Sequence, residues 1–570
     1  MDQDLARYIR NPGPKVPVSG LRTAVTTDSA IVTETMMKVL AAGGNAADAG
    51  IAGALVQAAV EPFMTNHAGL ITFLYYEAGT GQVHQLDSLG AHPSGLPPFR
   101  PVPPGNGPYS AGPPSGLIPG FMPGLKAIHA RFGSRPWAEL CEDAVEWAER
   151  GHPVSTFEHG VNLFGEKFIT YFPEGRDFYM PDGFFPHAGE MFRSKGLAET
   201  LRGVQAHGPD YMITGPWAEL FVRKANEMGW AITPGHMTET PPRWVEPTRF
   251  RHHEYEIVSL GPPQAQGFFT GVAMGVLRHL GIREMAPGSA DHLWAMGHAL
   301  RQGARHWEYA QDDSIYAVPR DEVLDDAYHA HLARLIRGSR PRVDLTEHIR
   351  LSGDMPGEAV GGATTFSPAG GRPRRTSLDE RQPAGSCELA VVDKDGNWVQ
   401  MMDTLQGSGI PGMVIGGVPM VGSHATFGNL QSPIDSTLVP GAKLRCIIGN
   451  TMVLKDGKPV FSCGTPGLPH FTVPQVLTNR LDFRLDPYAC VDAPRMAPMT
   501  ENRGVIIEDR LKPGVVEDLH RLGIRVAVLS PYDMHMGSYS VIARDETDGT
   551  LTAVADPRRC AVADGEPAAG

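Results

Sequence analysis

Residues 386–404 read SCELAVVDKDGNWVQMMDT. Ser386 to Asp393 has the apolar alternation of a strand, Asp395-Gly396 is a hairpin-turn dipeptide, and Asn397 to Thr404 returns as the partner strand. A two-residue type I′ turn makes paired residue numbers sum to about 790 or 791, so Ser386 lies across from Thr404 or its neighbour. Alternation sends Ser386 and Cys387 to opposite faces of the sheet. The stretch before the hairpin, from about Met355 to Gly385, is rich in Gly, Pro and Arg and lacks periodicity, which predicts a mobile or extended linker. It divides the chain into residues 1–385 and 386–570.

Upstream, SAIVTETMMKVLAA has helical spacing behind the capping-type residues Asp28 and Ser29, and Gly43-Gly44 stops it. A second helix, AADAGIAGALVQAAV, is capped by Asn45 with Asp48 three residues on, is apolar nearly all round, and ends before Pro62. ITFLYYEAGTGQVHQLDS reads as two strands joined by a Gly-containing turn. Residues 137–239 and 291–337 are mainly helical in pattern, so the chain mixes helices and hairpins within an α+β class.

The chain has 570 residues, with 66 glycines and 50 prolines. Gly and Pro thus make up about a fifth of it, against roughly 12% in average usage. A hydrophobic content of 42% is too high for disorder, so the excess means tight turns around a large core. A net charge of −13 argues against a nucleic-acid footprint, which needs clustered Lys and Arg, and favours a small-molecule substrate. The first residues contain no apolar signal region, and the longest apolar run, Ala49 to Val60, is too short to span a bilayer. The expectation is a cytoplasmic protein without a membrane segment. Six cysteines without an export signal read as reduced thiols, and the absence of CxxC or HExxH spacing argues against a metal.

Ser386 has two readings: the end of a loop, or an N-terminal nucleophile freed by cleavage of Gly385-Ser386. In the second, the new α-amine, with a pKa of about 7.7–8, serves as general base for the hydroxyl of the same residue. Gly385 permits the strained backbone that attack on its own carbonyl requires.

GGNAADA at 43–49, VEP ending at Pro62, LDS..AHP at 86–93, IPGFMPGL at 118–125, VVDKDGN at 391–397, CGTPG at 463–467, MGSYSVI at 536–542 and ADPRR at 555–559 occur in family order. On these segments the chain resembles the γ-glutamyltransferase family of N-terminal-nucleophile hydrolases. The resemblance implies a four-layer αββα sandwich, built as one intertwined domain from a precursor cut into a large subunit, 1–385, and a small catalytic subunit, 386–570. It implies amide hydrolysis or acyl transfer without a cofactor.

The family nucleophile is a threonine in Thr-Thr-His-x-Ser-Val-Val-Asp, and counting back from Val391-Val392-Asp393 places it at Ser386, followed by Cys387-Glu388-Leu389-Ala390. The threonine that orients the nucleophile falls at Thr404, the position reached independently by the hairpin. The Gly-Ser-Pro-Gly-Gly oxyanion loop corresponds to 464–468, with the N–H groups of Gly467 and Leu468 as donors. Leu468 keeps the N–H but restricts φ.

Substrate recognition departs from the family. The arginine that holds the γ-glutamyl α-carboxylate becomes Leu89, and the serine pair that assists it falls at Cys446-Ile447. No carboxylate stands near Thr426-Phe427, where the substrate ammonium would be held, and the family asparagine falls at Gln406. The implied substrate is an amide other than γ-glutamyl, with Leu89, Ile447 and Leu468 lining the pocket. His67, His424, Arg445 and His470 are candidate new polar contacts, although for each taken alone a surface or core role is the favoured reading. Two other readings stay open: a γ-glutamyl enzyme with relocated recognition groups, and a non-catalytic binding scaffold. Beyond the two subunits of one precursor, a homo-oligomer is left open. GSGIPG at 407–412 fits GxGxxG but has no following helix, which sets dinucleotide binding aside, and Arg372-Pro373-Arg374-Arg375 reads as a solvated linker.

Overall fold

The computed structural model describes residues 3–96, 117–170, 172–306, 309–339, 386–404, 412–420, 440–444, 446–498 and 504–568. The expected linker, Gln406, His424, Arg445, most of the GxGxxG run and the Arg372 cluster lie outside the described residues.

The hairpin is the centre of a seven-stranded antiparallel sheet. Its strand order is 562–564, 24–27, 386–392, 398–404, 70–77, 82–88, 243–245. A second antiparallel sheet runs 18–21, 551–555, 540–544, 458–464, 451–455, 255–259, 248–252. Leu70, Leu74, Trp398 and Met402 from the first sheet meet Val258, Met452, Ile542 and Ala553 from the second in one apolar layer. Ala30–Ala41, Ala46–Val60 and Phe121–Phe132 cover the first sheet's outer face, and Gln266–Leu280, Ala290–His306 and Pro469–Leu481 cover the second's. The architecture is the expected α+β sandwich of four layers, αββα. Both central strands of the hairpin are buried on both faces, so their polar residues sit inside and need partners.

Both sheets draw strands from either side of residue 385. The 386–392 strand lies beside 24–27, 398–404 beside 70–77, and 451–455 beside 255–259. Neither portion completes a sheet alone. Among the described residues no helix is long and apolar enough to cross a membrane. All six cysteines are buried and unbridged.

Two local expectations are corrected. Val392 pairs with Trp398, and Asp393 N–H donates to the Asn397 carbonyl at 3.1 Å, which leaves a three-residue turn, Lys394 to Gly396. Gly396, at φ +83°, takes the left-handed position that such a turn places before the return strand. The Asp393 carboxylate accepts N–H bonds from Asp395 and Asn397, both at 3.0 Å, which explains why the longer turn is preferred over type I′. The register still sums to 790, with Ser386 opposite Thr404. Ser29 is the N-cap of Ala30–Ala41 in backbone terms only, since its side chain makes no cap bond. Asp28 is no cap at all and turns inward to the site. By contrast, Asn45 and Asp48 form the expected reciprocal capping box.

Candidate active site

Ser386 opens its strand and Thr404 ends the partner, so their side chains share the face that looks toward the second sheet. Ser386 Oγ donates to Thr404 Oγ1 at 2.8 Å, and both residues are buried. Thr404 is pressed against the turn into the 70–77 strand: a Cβ on Gly69 would lie 1.9 Å from the Thr404 carbonyl oxygen, so only glycine fits there. The Ser386 carbonyl accepts from Arg559 Nη1 at 2.9 Å. Cys387 points the other way, among Phe63, Met64 and Val161, with Sγ 3.5 Å from Glu61 Oε2. Burial, reinforced by the Glu61 charge, pushes its thiol well above the usual range, which keeps it protonated and a poor nucleophile.

The 458–464 strand of the second sheet leads into Thr465-Pro466-Gly467-Leu468 and then into the helix Pro469–Leu481. Gly467 has φ +90°, and a Cβ there would stand 2.8 Å from Gly537 Cα. Leu468 has φ −109°, which any residue adopts, so the expected restriction does not arise. Its side chain is buried in the outer layer with Phe471. The loop presents backbone N–H groups at the N-terminus of a 13-residue helix, where the helix dipole favours negative charge. Gly467→Ala is expected to displace this loop and lower kcat by about 100-fold, the size of one lost oxyanion donor. Steady-state kinetics with the thermal midpoint measured in parallel would check it; unchanged kcat would remove the loop from the site.

Several groups that join the Ser386 strand to the loop were not singled out in the sequence. Glu388 N–H donates to one oxygen of Asp28 at 3.3 Å, and Ser538 Oγ donates to the other. Ser538 N–H donates to Thr465 Oγ1 at 2.9 Å, and that hydroxyl donates to the Pro466 carbonyl at 2.8 Å. Asp28 had looked like a helix cap, and Ser538 and Arg559 sat in the recognised MGSYSVI and ADPRR segments without a role. Their positions in the motifs were the available signal; their partners lie hundreds of residues away.

Asp28, Glu61, Glu388 and Asp403 are all buried near this junction, and burial raises the pKa of each. Glu61 is pushed from 4.5 to about 8, mainly by burial and then by the Asp28 charge. The folded chain therefore keeps a proton on Glu61 that the unfolded chain releases near pH 4.5. Stability contributed this way is fully present below pH 4.5 and is lost as pH rises toward about 8. Glu61→Gln, which cannot ionise, is expected to flatten the fall in Tm between pH 5 and 8 by about 3 °C or more. Parallel melting curves of the two proteins would reject this if their pH slopes coincide.

The expected recognition residues separate into two groups. Leu89 and Cys446 are buried in the layer between the sheets with Leu70, Met402 and Leu444. Leu89 follows Ser88, the last paired residue of its strand, in the row Ser386, Thr404, Leu70. Ile447 points away from Cys446, to the cluster that contains Leu468. The cations bracketing Leu89 are committed elsewhere: Arg243 pairs with Asp87 and Asp312 at 3.0 Å, and Lys443 with Asp87 at 3.4 Å. His67 takes the core role. Its Nε2 lies 3.0 Å from the Leu55 carbonyl, its ring packs on Phe121, and burial lowers its pKa to about 4. His470 is buried against Phe269 and Phe471 on the helical side.

One group among the described residues has metal-ligand spacing: His252, His253 and Asp482. Asp482 already accepts from both imidazoles at 2.9 Å and from Arg283 Nε at 3.3 Å. It sits at the end of Pro469–Leu481 opposite the loop, about 20 Å along the helix axis. The guanidinium supplies the cation, and the group closes a structural network.

The family model described as Gamma-glutamyltranspeptidase matches residues 32–565. The chain is 25% identical over 557 residues to the glutathione hydrolase-like YwrD proenzyme of Bacillus subtilis (strain 168), covering 95% of this chain and 98% of that one. It is 24% identical to the acylase ACY 1 proenzyme of Pseudomonas sp. (strain SE83), covering 97% and 95%. Cephalosporin acylase from Bacillus halodurans superposes with a TM-score of 0.80 at 21% identity, covering 98% of each chain. With the family model spanning nearly its whole length, the chain belongs to the gamma-glutamyltranspeptidase family of N-terminal-nucleophile amidohydrolases and acyl transferases.

Proposed function

We propose that the chain is a proenzyme that cleaves itself between Gly385 and Ser386 and then hydrolyses an amide whose acyl group is not γ-glutamyl. The observation that carries this reading is the 2.8 Å Ser386–Thr404 hydroxyl pair at the head of the central strand, directly after the candidate scissile bond. In maturation, Ser386 Oγ attacks the Gly385 carbonyl carbon, the peptide C–N bond breaks as an ester forms, and water hydrolyses the ester. The products are a Gly385 carboxylate and a Ser386 α-amine, and large (1–385) and small (386–570) subunits that strand pairing holds together.

In turnover, the α-amine takes the hydroxyl proton as Oγ attacks the substrate carbonyl, then gives it to the leaving amine. The Thr404 hydroxyl fixes the position of Oγ, and the N–H groups of Gly467 and Leu468 receive the oxyanion. Water then releases the acyl group from Ser386. Every part of this scheme is a side chain or backbone group, and the residues that replace the γ-glutamyl anchors in the layer between the sheets, Leu89 and Cys446, are apolar or weakly polar. The reading is therefore an acylase with an apolar acyl pocket. Intact-mass measurement of the purified protein, with N-terminal sequencing of the smaller fragment and assay on hexanoyl- and benzoyl-p-nitroanilide, tests it. A fragment that begins at Ser386 and releases nitroaniline is expected; an uncut, inert chain under all conditions would overturn it.

A further inference from the structure

The residue two places after the candidate nucleophile is the one at which this chain puts a carboxyl where the family motif has histidine. Glu388 shares Ser386's face of the strand, about 6.7 Å further along it, and is fully buried between the sheets. Its Oε1 accepts from Gln400 Nε2 at 2.6 Å and from Asn450 Nδ2 at 2.5 Å. Gln400 belongs to the partner strand of the hairpin, while Asn450 precedes the 451–455 strand of the opposite sheet and accepts from Thr72 Oγ1 at 2.5 Å. One carboxyl oxygen thus ties the two sheets together.

That oxygen also sets the shape of the loop. Gly464 is the last residue of the 458–464 strand and the first of the Gly-Thr-Pro-Gly-Leu turn. A Cβ on Gly464 would lie 1.9 Å from Glu388 Oε1 and 2.5 Å from Gln400 Nε2. Its φ is not in the left-handed region, so glycine is required there by the carboxyl and not by the backbone. Ser540, the cross-strand partner of Gly464, donates its hydroxyl to the Glu388 carbonyl at 3.2 Å. The side chain of Glu388 therefore meets the segment from which the oxyanion loop springs, and its carbonyl is held by the strand paired with that segment.

We propose that Glu388 is a positioning residue for acyl transfer: wedged between the nucleophile strand and Gly464, it fixes where the oxyanion loop stands relative to Ser386. This rests on the acyl-transfer reading given above. The nearby charges that act on Glu388, Asp28 and Asp403, are of its own sign, and burial pushes its carboxyl well above the usual range. It acts as a neutral acceptor and spacer, a role a side-chain amide can fill. Leucine has similar bulk but would leave the Gln400 and Asn450 donors buried without their acceptor.

Full-length wild type, Glu388→Gln, Glu388→Leu, Gly464→Ala and the double variant Gly464→Ala/Glu388→Ala should be compared by intact mass, thermal midpoint, and kcat and KM on hexanoyl-p-nitroanilide. Glu388→Gln is expected to mature and to keep kcat within about 3-fold, whereas Glu388→Leu loses about 30-fold or more in kcat with KM within about 3-fold, a fraction of a whole oxyanion donor. Gly464→Ala is expected to be crippled, and truncating Glu388 in the double variant to recover at least about 10-fold of that loss, since space for the new methyl opens. Equal kcat for the Gln and Leu variants, or a loss carried by KM, overturns the assignment. If Glu388→Leu does not fold, the Gly464 cycle decides: a double variant no better than Gly464→Ala overturns it. A wild type that neither cleaves itself nor turns over any amide instead sinks the acyl-transfer reading, and this assignment with it.

Discussion

Replacing Ser386 by alanine is expected to leave a single uncut chain of 61.5 kDa and to abolish amide turnover. The hydroxyl has two tasks in the scheme, attack on its own preceding carbonyl and attack on the substrate. Cys387 is the adjacent alternative nucleophile, but its thiol lies on the helical side among Phe63, Met64 and Val161 and is held protonated. Cys387→Ala should therefore mature normally, while Ser386→Thr, which keeps a hydroxyl at the same position, should still cleave. Removal of an acyl-transfer nucleophile typically lowers kcat by about 10⁴-fold or more, so residual activity should vanish into background. Denaturing gels and intact mass on the three variants are the measurement. Cleavage at 385–386 in Ser386→Ala would show that another group attacks, and cleavage lost in Cys387→Ala but kept in Ser386→Ala would transfer the role to the thiol.

The pair at the centre of this prediction was legible because both of its signals are local. Period-two alternation and a Gly-containing turn narrow the register to Ser386 facing Thr404 or its neighbour, and the three-residue turn, one residue longer than a type I′ connection, selects Thr404. The capping box of Asn45 and Asp48 was legible for the same reason, being closed within four residues. Asp28 looked like another cap because a carboxylate before an amphipathic helix usually is one. Its real partners, Glu388 and Ser538, lie 360 and 510 residues away, and Arg559 reaches Ser386 across 173. Such bonds leave no pattern in a single sequence; they exist because the two sheets interleave strands from both ends of the chain. His67 takes the core role that a lone histidine most often has, because the loop between helix and strand folds it into the helical layer.

The same interleaving governs which acyl groups the site accepts, and γ-glutamyl-p-nitroanilide is expected to be turned over with a kcat/KM at least about 100-fold below that of hexanoyl-p-nitroanilide. A bidentate guanidinium–carboxylate contact is worth about 1.5–3 kcal/mol, or roughly 10- to 150-fold in binding. The position of the family arginine is Leu89, 3% exposed and enclosed by Leu70, Met402, Leu444 and Cys446. A substrate carboxylate placed beside it would lose water, and among the described residues the neighbouring cations Arg243 and Lys443 already pair with Asp87. Restoring the arginine alone should not restore γ-glutamyl turnover. Leu89→Arg would bury a charge in the apolar layer between the sheets, with Asp87 already shared by two cations, so the expected result is a lower Tm and less matured protein. The decisive comparison is kcat/KM for the two anilides and for glutathione on wild type, with the melting curve of Leu89→Arg beside it. Brisk hydrolysis of glutathione by wild type would mean that recognition groups elsewhere hold the α-carboxylate, and the apolar pocket would have to be abandoned.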